Sequence, residues 1–465
     1  MFRFLRTLLP VLAITGAVTS ASAFALLGPY ATWETPALSY NIGGVDVGGP
    51  MNLGEGYRWN IKTITYGFSK SFQDYFGQRG ITEVNKAIAI LNNLPPVSRM
   101  SASLSEFPLD TRQANYQAGA LGLFDLKSVA LGHLIEEFGL ADPERYVWTL
   151  RNRFVTPAPV TNYVVIMRNF DPVTWAPTPY VNGILYTYSI IEYGPPLPYT
   201  DASESTVDPL ALGWNSIAGI AGSGNPAPSS YFTTGLFFTG LTRDDVGGIR
   251  YLLRRSNLNV ESLLPNTTGA QAPSAWSPLG AGSGGTNTFV NTALRPGVDK
   301  VLFRQLPYYG IFLGFTNTWT DTYVNPTNGL LSTQRVQRIL PAGSQPDIVF
   351  DAGDLGVDGT TGEPFLTRLT DTSGWANNSA TNNPTFATAE VDGPGVIQPP
   401  IVIAFTTIGP TLLNTFPTSM DQASASILFG GWAAIDGTTN APFIFPNGRT
   451  TLQLEQQILS AAGAF

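Results

Sequence analysis

The sequence predicts an α+β domain followed by an all-β, sandwich-like domain, and three observations carry that expectation. Helical and strand periodicities mix between residues 24 and 265. A Gly, Ser, Pro and Thr-rich stretch at 266–287, reading NTTGAQAPSAWSPLGAGSGGTN, has the composition of a linker. From 288 to 465, short runs rich in Val, Ile, Phe, Tyr and Thr recur between turn signals. At roughly 100–200 residues per domain, 465 residues accommodate this arrangement.

The amino terminus predicts export. Arg3 and Arg6 precede an apolar stretch from Leu8 to Val18, and small residues follow, with an Ala-x-Ala site ending at Ala23. That order of basic, apolar and small residues marks residues 1–23 as a signal peptide. The apolar run is broken by Pro10 and Gly16 and falls short of the ~20 residues a spanning helix needs. No later run reaches that length, so the mature chain is expected to carry no transmembrane segment and to be secreted, periplasmic or on the cell surface.

In the first domain, Lys62–Phe68 alternates like a strand, and Gly80–Leu94 places Ile81, Val84, Ile88 and Leu91 on one helical stripe. Leu126–Gly139 reads as a second helix, ended by a glycine suited to the left-handed cap. Asn162–Phe170 and Val181–Tyr193 read as strands. Leu241–Arg254 reads as a third helix, with Thr242 and Asp245 spaced as a capping box. In the second domain the expected strands are Val298–Leu306, Gly310–Tyr323, Gln334–Leu340, Asp347–Phe350, Val396–Phe405 and Ala425–Ile435. Thr451–Ala462 has helical spacing.

Composition excludes several chemistries. With no cysteine there is no disulfide, thiol nucleophile or thiolate zinc site, and a single histidine rules out a three-histidine metal site within one chain. Removing the leader's two arginines leaves 23 cationic against 33 acidic residues, a net charge of −10. No Lys/Arg cluster stands against that balance, so nucleic acid and anionic membranes are not expected partners. A protein or polysaccharide surface is the expected partner class. Lack of cysteine also fits an exported bacterial protein. No Gly-x-Ser-x-Gly elbow, dinucleotide fingerprint or phosphate-binding Lys loop occurs.

The one histidine lies in LKSVALGHLIEEFGLAD, from Leu126 to Asp142, where His133 and Glu137 share an edge of the apolar stripe and Glu136 lies alongside. Residues four apart on a helix can bind one metal ion, and they can equally form a His–Glu hydrogen bond.

Three patches resemble matrixin-type metallopeptidases of the metzincin group. ITYGFSKSF at Ile64–Phe72 is similar to their opening strand and first helix, and GLTRDDVGGIRYLL at Gly240–Leu253 to their closing helix. SVALGHLIEEFGL at Ser128–Leu140 resembles the helix that carries HExxHxxGxxH. The resemblance implies a zincin-like fold for residues 24–265. The family's first histidine, glutamate and second histidine fall on Gly132, His133 and Glu136, its glycine on Gly139 and its third ligand on Asp142. A zinc-activated water needs a general base at the glutamate position, where a histidine stands. The domain also departs from the family's order, since only residues 95–125 separate the first two helices and the clear strands come afterwards. The resemblance therefore implies a degenerate, non-catalytic domain with a binding or structural role.

Two alternatives stay open. Read as HxxEE, residues 133–137 resemble the inverted zinc motif HxxEH with its last histidine replaced. In that register a variant zinc metallopeptidase would use His133 and Glu137 as ligands, Glu136 as catalytic base, and Asp142 or Glu144 as a third ligand. A carbohydrate-binding or carbohydrate-active protein is suggested by nine tryptophans and eighteen tyrosines; it predicts Trp276, Trp319, Trp375 or Trp432 along an exposed groove with paired acids. Asp351, Asp354, Asp358 and Glu363 miss the EF-hand register and read as turn residues.

Overall fold

The structure is a computed structural model that describes residues 22–38, 40, 48–155, 160–192, 200–218, 234–270, 289–307, 314–353, 367–369, 375–377, 394–405, 407, 411–414, 427–446 and 450–461. It is mixed α and β, and strand-rich. At its centre a five-stranded sheet runs in the order Leu302–Gln305, Thr63–Phe68, Ile348–Asp351, Ile401–Phe405, Thr367–Leu369. The first four strands are parallel and the last is antiparallel.

Helix α1 (Lys70–Asn93) leaves the strand Thr63–Phe68 directly, because Ser69 turns the chain and its Oγ accepts the Phe72 N–H at 3.1 Å. It begins ten residues before the expected Gly80. The helical stripe was legible only beyond Gly77, whose φ of 60° interrupts the helix. Phe72 and Phe76 from the first turns join Phe68, Phe350, Phe405 and Trp432 in one aromatic core, with Phe72 and Phe76 centroids 4.7 Å apart. Gly80 lies where a Cβ would come within 2.2 Å of the Phe76 Cβ. Short helix α2 (Tyr116–Ala120) and then α3 (Leu126–Glu137) follow, with α3 packed on α1.

The segment 266–287 does not divide two cores. Strands from its C-terminal side flank Thr63–Phe68 on both edges, and Ile427–Ala434 pairs in parallel with Leu123–Asp125. Within the expected linker itself, Thr267–Gly269 is a strand on the edge of the long hairpin Phe315–Val324/Leu331–Leu340. Among the described residues, the later strands Ile348–Asp351 and Ile401–Phe405 belong to the central sheet and not to a sandwich of their own. Runs such as Ile348–Asp351 and Ile401–Phe405 are apolar at successive positions because both of their faces are buried, which is the mark of parallel strands inside an α/β layer.

A ladder of buried arginines fastens the two parts. Arg58 Nε donates to Glu261 Oε1 at 2.7 Å, and its Nη groups donate to the carbonyls of Leu252, Asn257 and Arg295. Arg295 grips Asp321 through two bonds of 3.0 and 3.1 Å. Arg338 donates to Asp347, whose other oxygen accepts the amide and hydroxyl of Thr65.

Helix α4 (Arg243–Leu253) carries the expected capping arrangement, the Thr242 amide and hydroxyl donating to Asp245 Oδ2 at 2.8 and 2.6 Å. Helix α5 (Thr451–Ala461) closes the described chain close to its expected bounds. Away from the core two hairpins project, Thr149–Val155/Thr161–Ile166 and Ile184–Glu192/Thr200–Thr206. Glu192 ties them together, accepting from Arg153 of the first hairpin at 2.6 and 2.5 Å and from Tyr163 Oη at 2.8 Å. Among the described residues no helix is long and apolar enough to cross a membrane.

Candidate functional site

Helix α3 holds the chain's histidine. Asp125 starts it, its carboxylate accepting the Ser128 amide and hydroxyl and, from the far part of the chain, the Ile435 amide. Burial pushes the Asp125 carboxyl up to about 6 against those bonds. Every residue of α3 is buried except half-buried Lys127. A helix enclosed on all sides has no solvent edge, so the polar positions that looked like the rim of a stripe lie inside. The helix ends at Gly139, whose φ is +92° and where a Cβ would fall 2.1 Å from the Tyr57 carbonyl oxygen.

Within that enclosure His133 Nδ1 bonds Glu136 Oε2 at 3.1 Å, and the ring meets Phe405 edge-on at 6.1 Å. Burial raises the Glu136 carboxyl, and the bond from His133 opposes the rise. Glu137 is pushed well above the carboxylate range by burial and by the charge of Glu136. His133 Nε2 and Glu137 Oε2 have no hydrogen-bond partner among the described residues.

Beyond the helix, Asp142 Oδ1 accepts the amides of Glu144 and Arg145 at 2.9 and 3.2 Å. Burial and the adjacent Asp142 push Glu144 far up, and burial raises Asp142 as well. Its Oε1 accepts the amides of Asn215 and Ser216. Arg145 reaches Glu204 at 3.3 Å and lies over the rings of Tyr40 and Tyr146. Burial outweighs that arginine and brings Glu204 to about 8. At the start of α4, Asp245 Oδ1 collects the Ser216 hydroxyl and the amides of Ile217 and Ala218. Asp244 accepts the amides of Ala23 at 2.7 Å and Asn182 at 2.8 Å.

The expected ligand set therefore does not come together. His133 and Glu136 meet, but they bond each other, and Asp142 is engaged in its own turn with Glu144 and Arg145. Among the described residues no three His, Cys, Asp or Glu side chains stand where they could hold one metal ion. Glu204, Arg145 and the Asp244–Asp245 pair complete the polar core but escaped sequence reading. Glu204 sits in the polar strand TDASEST, and the only signal for the aspartates was the capping motif that contains them.

The expected tryptophan groove is not present at the positions that can be followed. Trp432 is fully buried in the aromatic core, and Trp319, on the first strand of the long hairpin, is buried against the core. Trp276, the side chain of Trp375, and Asp354, Asp358 and Glu363 lie outside the described residues. Asp351 accepts the Ser69 and Ser71 hydroxyls at the start of α1, and its other oxygen takes the Gly353 amide two residues on, as a turn residue does. No protein-family model, curated protein or solved structure matches the chain.

Proposed function

We propose that this chain is an exported, non-catalytic binding protein built on a degenerate matrixin-like frame. One observation carries the reading: the only histidine is spent on Glu136 inside a closed helix environment, with both side chains almost wholly buried. A hydrolytic zinc centre keeps an open coordination position for water and substrate. Here the positions that would supply ligands face a packed core instead.

Binding is assigned to the projecting hairpins. Phe154, Val155, Val160 and Ile191 stand exposed toward the far ends of the hairpins. Exposed apolar side chains grouped on a projecting element favour a protein surface as partner, and the low charge of the chain is compatible with such a contact.

Elemental analysis of purified protein tests the reading. It expects no stoichiometric zinc in the wild type and no change in His133→Ala; one zinc per chain, lost in that variant, would overturn it. The variant metallopeptidase is the second reading, favoured by the unpartnered His133 Nε2 and Glu137 Oε2, and the same measurement decides for it.

A further inference from the structure

The residues around the leader junction are part of the fold. Ser22 and Ala23 are as buried as the strand Phe24–Gly28 that follows them. The Ala23 amide donates to Asp244 Oδ1 at 2.7 Å, across 221 residues of sequence. The other oxygen of Asp244 takes the Asn182 amide at 2.8 Å. Asp244 is enclosed at the start of α4 beside Asp245, and among the described residues no lysine or arginine forms an ion pair with it. The Ala23 amide is therefore one of the few donors that satisfy a carboxyl closed off from water.

A cut after Ala23 would remove that donor together with two buried residues. The residues just upstream offer a second site of the same chemistry. Thr19-Ser20-Ala21 also places small residues at the two positions a leader peptidase reads. We infer that the leader is removed after Ala21, so that the mature chain begins at Ser22 and keeps the Ala23–Asp244 contact. This inference rests on the export reading above and adds to it the register of processing.

The test is to produce the full chain with its own leader in a bacterial host and to read the exported protein by intact mass and N-terminal sequencing. A mature chain beginning at Ser22 is expected. One beginning at Phe24 overturns the inference while leaving export intact, and an unprocessed chain beginning at Met1 overturns export and the inference with it. Ala21→Val supplies the second arm, because valine blocks the cut after residue 21 and remains acceptable two residues before a cut after Ala23. Protein from that variant should begin at Phe24 and melt several degrees below the Ser22 form. Equal melting temperatures would show that Ser22 and Ala23 contribute nothing to the fold, and the argument for the upstream cut would fall.

Discussion

Two buried charge systems lie in one molecule and solve opposite problems. In the arginine ladder each carboxylate meets a guanidinium: Glu261 has Arg58, Asp321 has Arg295, and Asp347 has Arg338. Around α3 the carboxyls outnumber their cations, with Glu136, Glu137, Asp142, Glu144, Asp244 and Asp245 all buried and Arg145 bonded to Glu204. Paired charges hold distant segments in register. Unpaired carboxyls in a closed core take up protons instead, as the upward shifts of Glu137, Glu144 and Asp244 express. The first system is a fastening; the second is a group of carboxyls enclosed in the core beyond the reach of enough cations.

The largest expected effect follows from the fastening. Residues before 271 and residues after 288, expressed separately, should each fail to give a cooperative unfolding transition. Their central sheet interleaves strands from both, with Leu302–Gln305 and Ile348–Asp351 on either side of Thr63–Phe68. Circular dichroism melts of the two pieces, alone and mixed, check this. A sharp transition from either piece alone would restore the view of two independent domains.

Next in size is Arg58→Ala. It strands Glu261 in the core and takes a donor away from three carbonyls, of which Leu252 keeps the Asn257 side-chain amide. Breaking a fully buried pair by removing one partner costs about 3–5 kcal/mol. Urea unfolding should show a loss of that order, and a loss below about 1 kcal/mol would mean the ladder only decorates the sheet junction.

The carboxyl-rich core predicts a pH dependence of definite sign. A carboxyl whose folded pKa is raised holds its proton where the unfolded chain has released it. Its stabilising contribution is complete below the unfolded values of roughly 4 to 4.5 and is lost as pH rises through the folded value. Glu204, at about 8, marks the upper part of that window, and Glu137 and Glu144 act in the same direction. Urea midpoints should therefore fall between pH 5 and pH 8.5. Each proton retained only by the fold tilts stability by about 1.4 kcal/mol per pH unit. Glu137→Gln should flatten the slope and raise stability at the alkaline end. A midpoint that climbs with pH would reverse the assignment of protons to this cluster.

The same contrast explains what the sequence could and could not reveal. Helices α3, α4 and α5 were legible because their signals are local: Gly139 ends α3, Thr242 with Asp245 opens α4, and α5 shows its helical spacing. The first turns of α1 were hidden by Gly77, which breaks the period before Phe72 and Phe76 can be read with Ile81 and Val84. Strand existence was legible in runs such as Ile401–Phe405, but pairing was not. A short apolar run has no alternation to say which faces are buried, and the partner of Thr63–Phe68 lies 282 residues away at Asp347. At the candidate site His133, Glu136 and Glu137 could be placed on one helix. Their burial could not, because it comes from Phe405 and the strand Ile427–Ala434, far along the chain.

The smallest predicted effect calibrates the rest. Lys70 and Asp74 form an ion pair one turn apart at the start of α1, with side chains 81% and 63% exposed. Water screens such a pair and the two side chains lose rotamer freedom to form it, so its net worth is roughly 0.3–0.5 kcal/mol. Asp74 also lies near the positive end of the helix, where a carboxylate gains slightly from the macrodipole. Asp74→Ala should thus cost less than about 1 kcal/mol, and a double-mutant cycle with Lys70→Ala should return a coupling that shrinks further in high salt. The same substitution applied to Glu83, which is buried while bonding Arg79 and Lys86 on the next turns of this helix, should cost several times more. If the two costs came out equal, burial would not be what separates the fastening charges from the decorative ones.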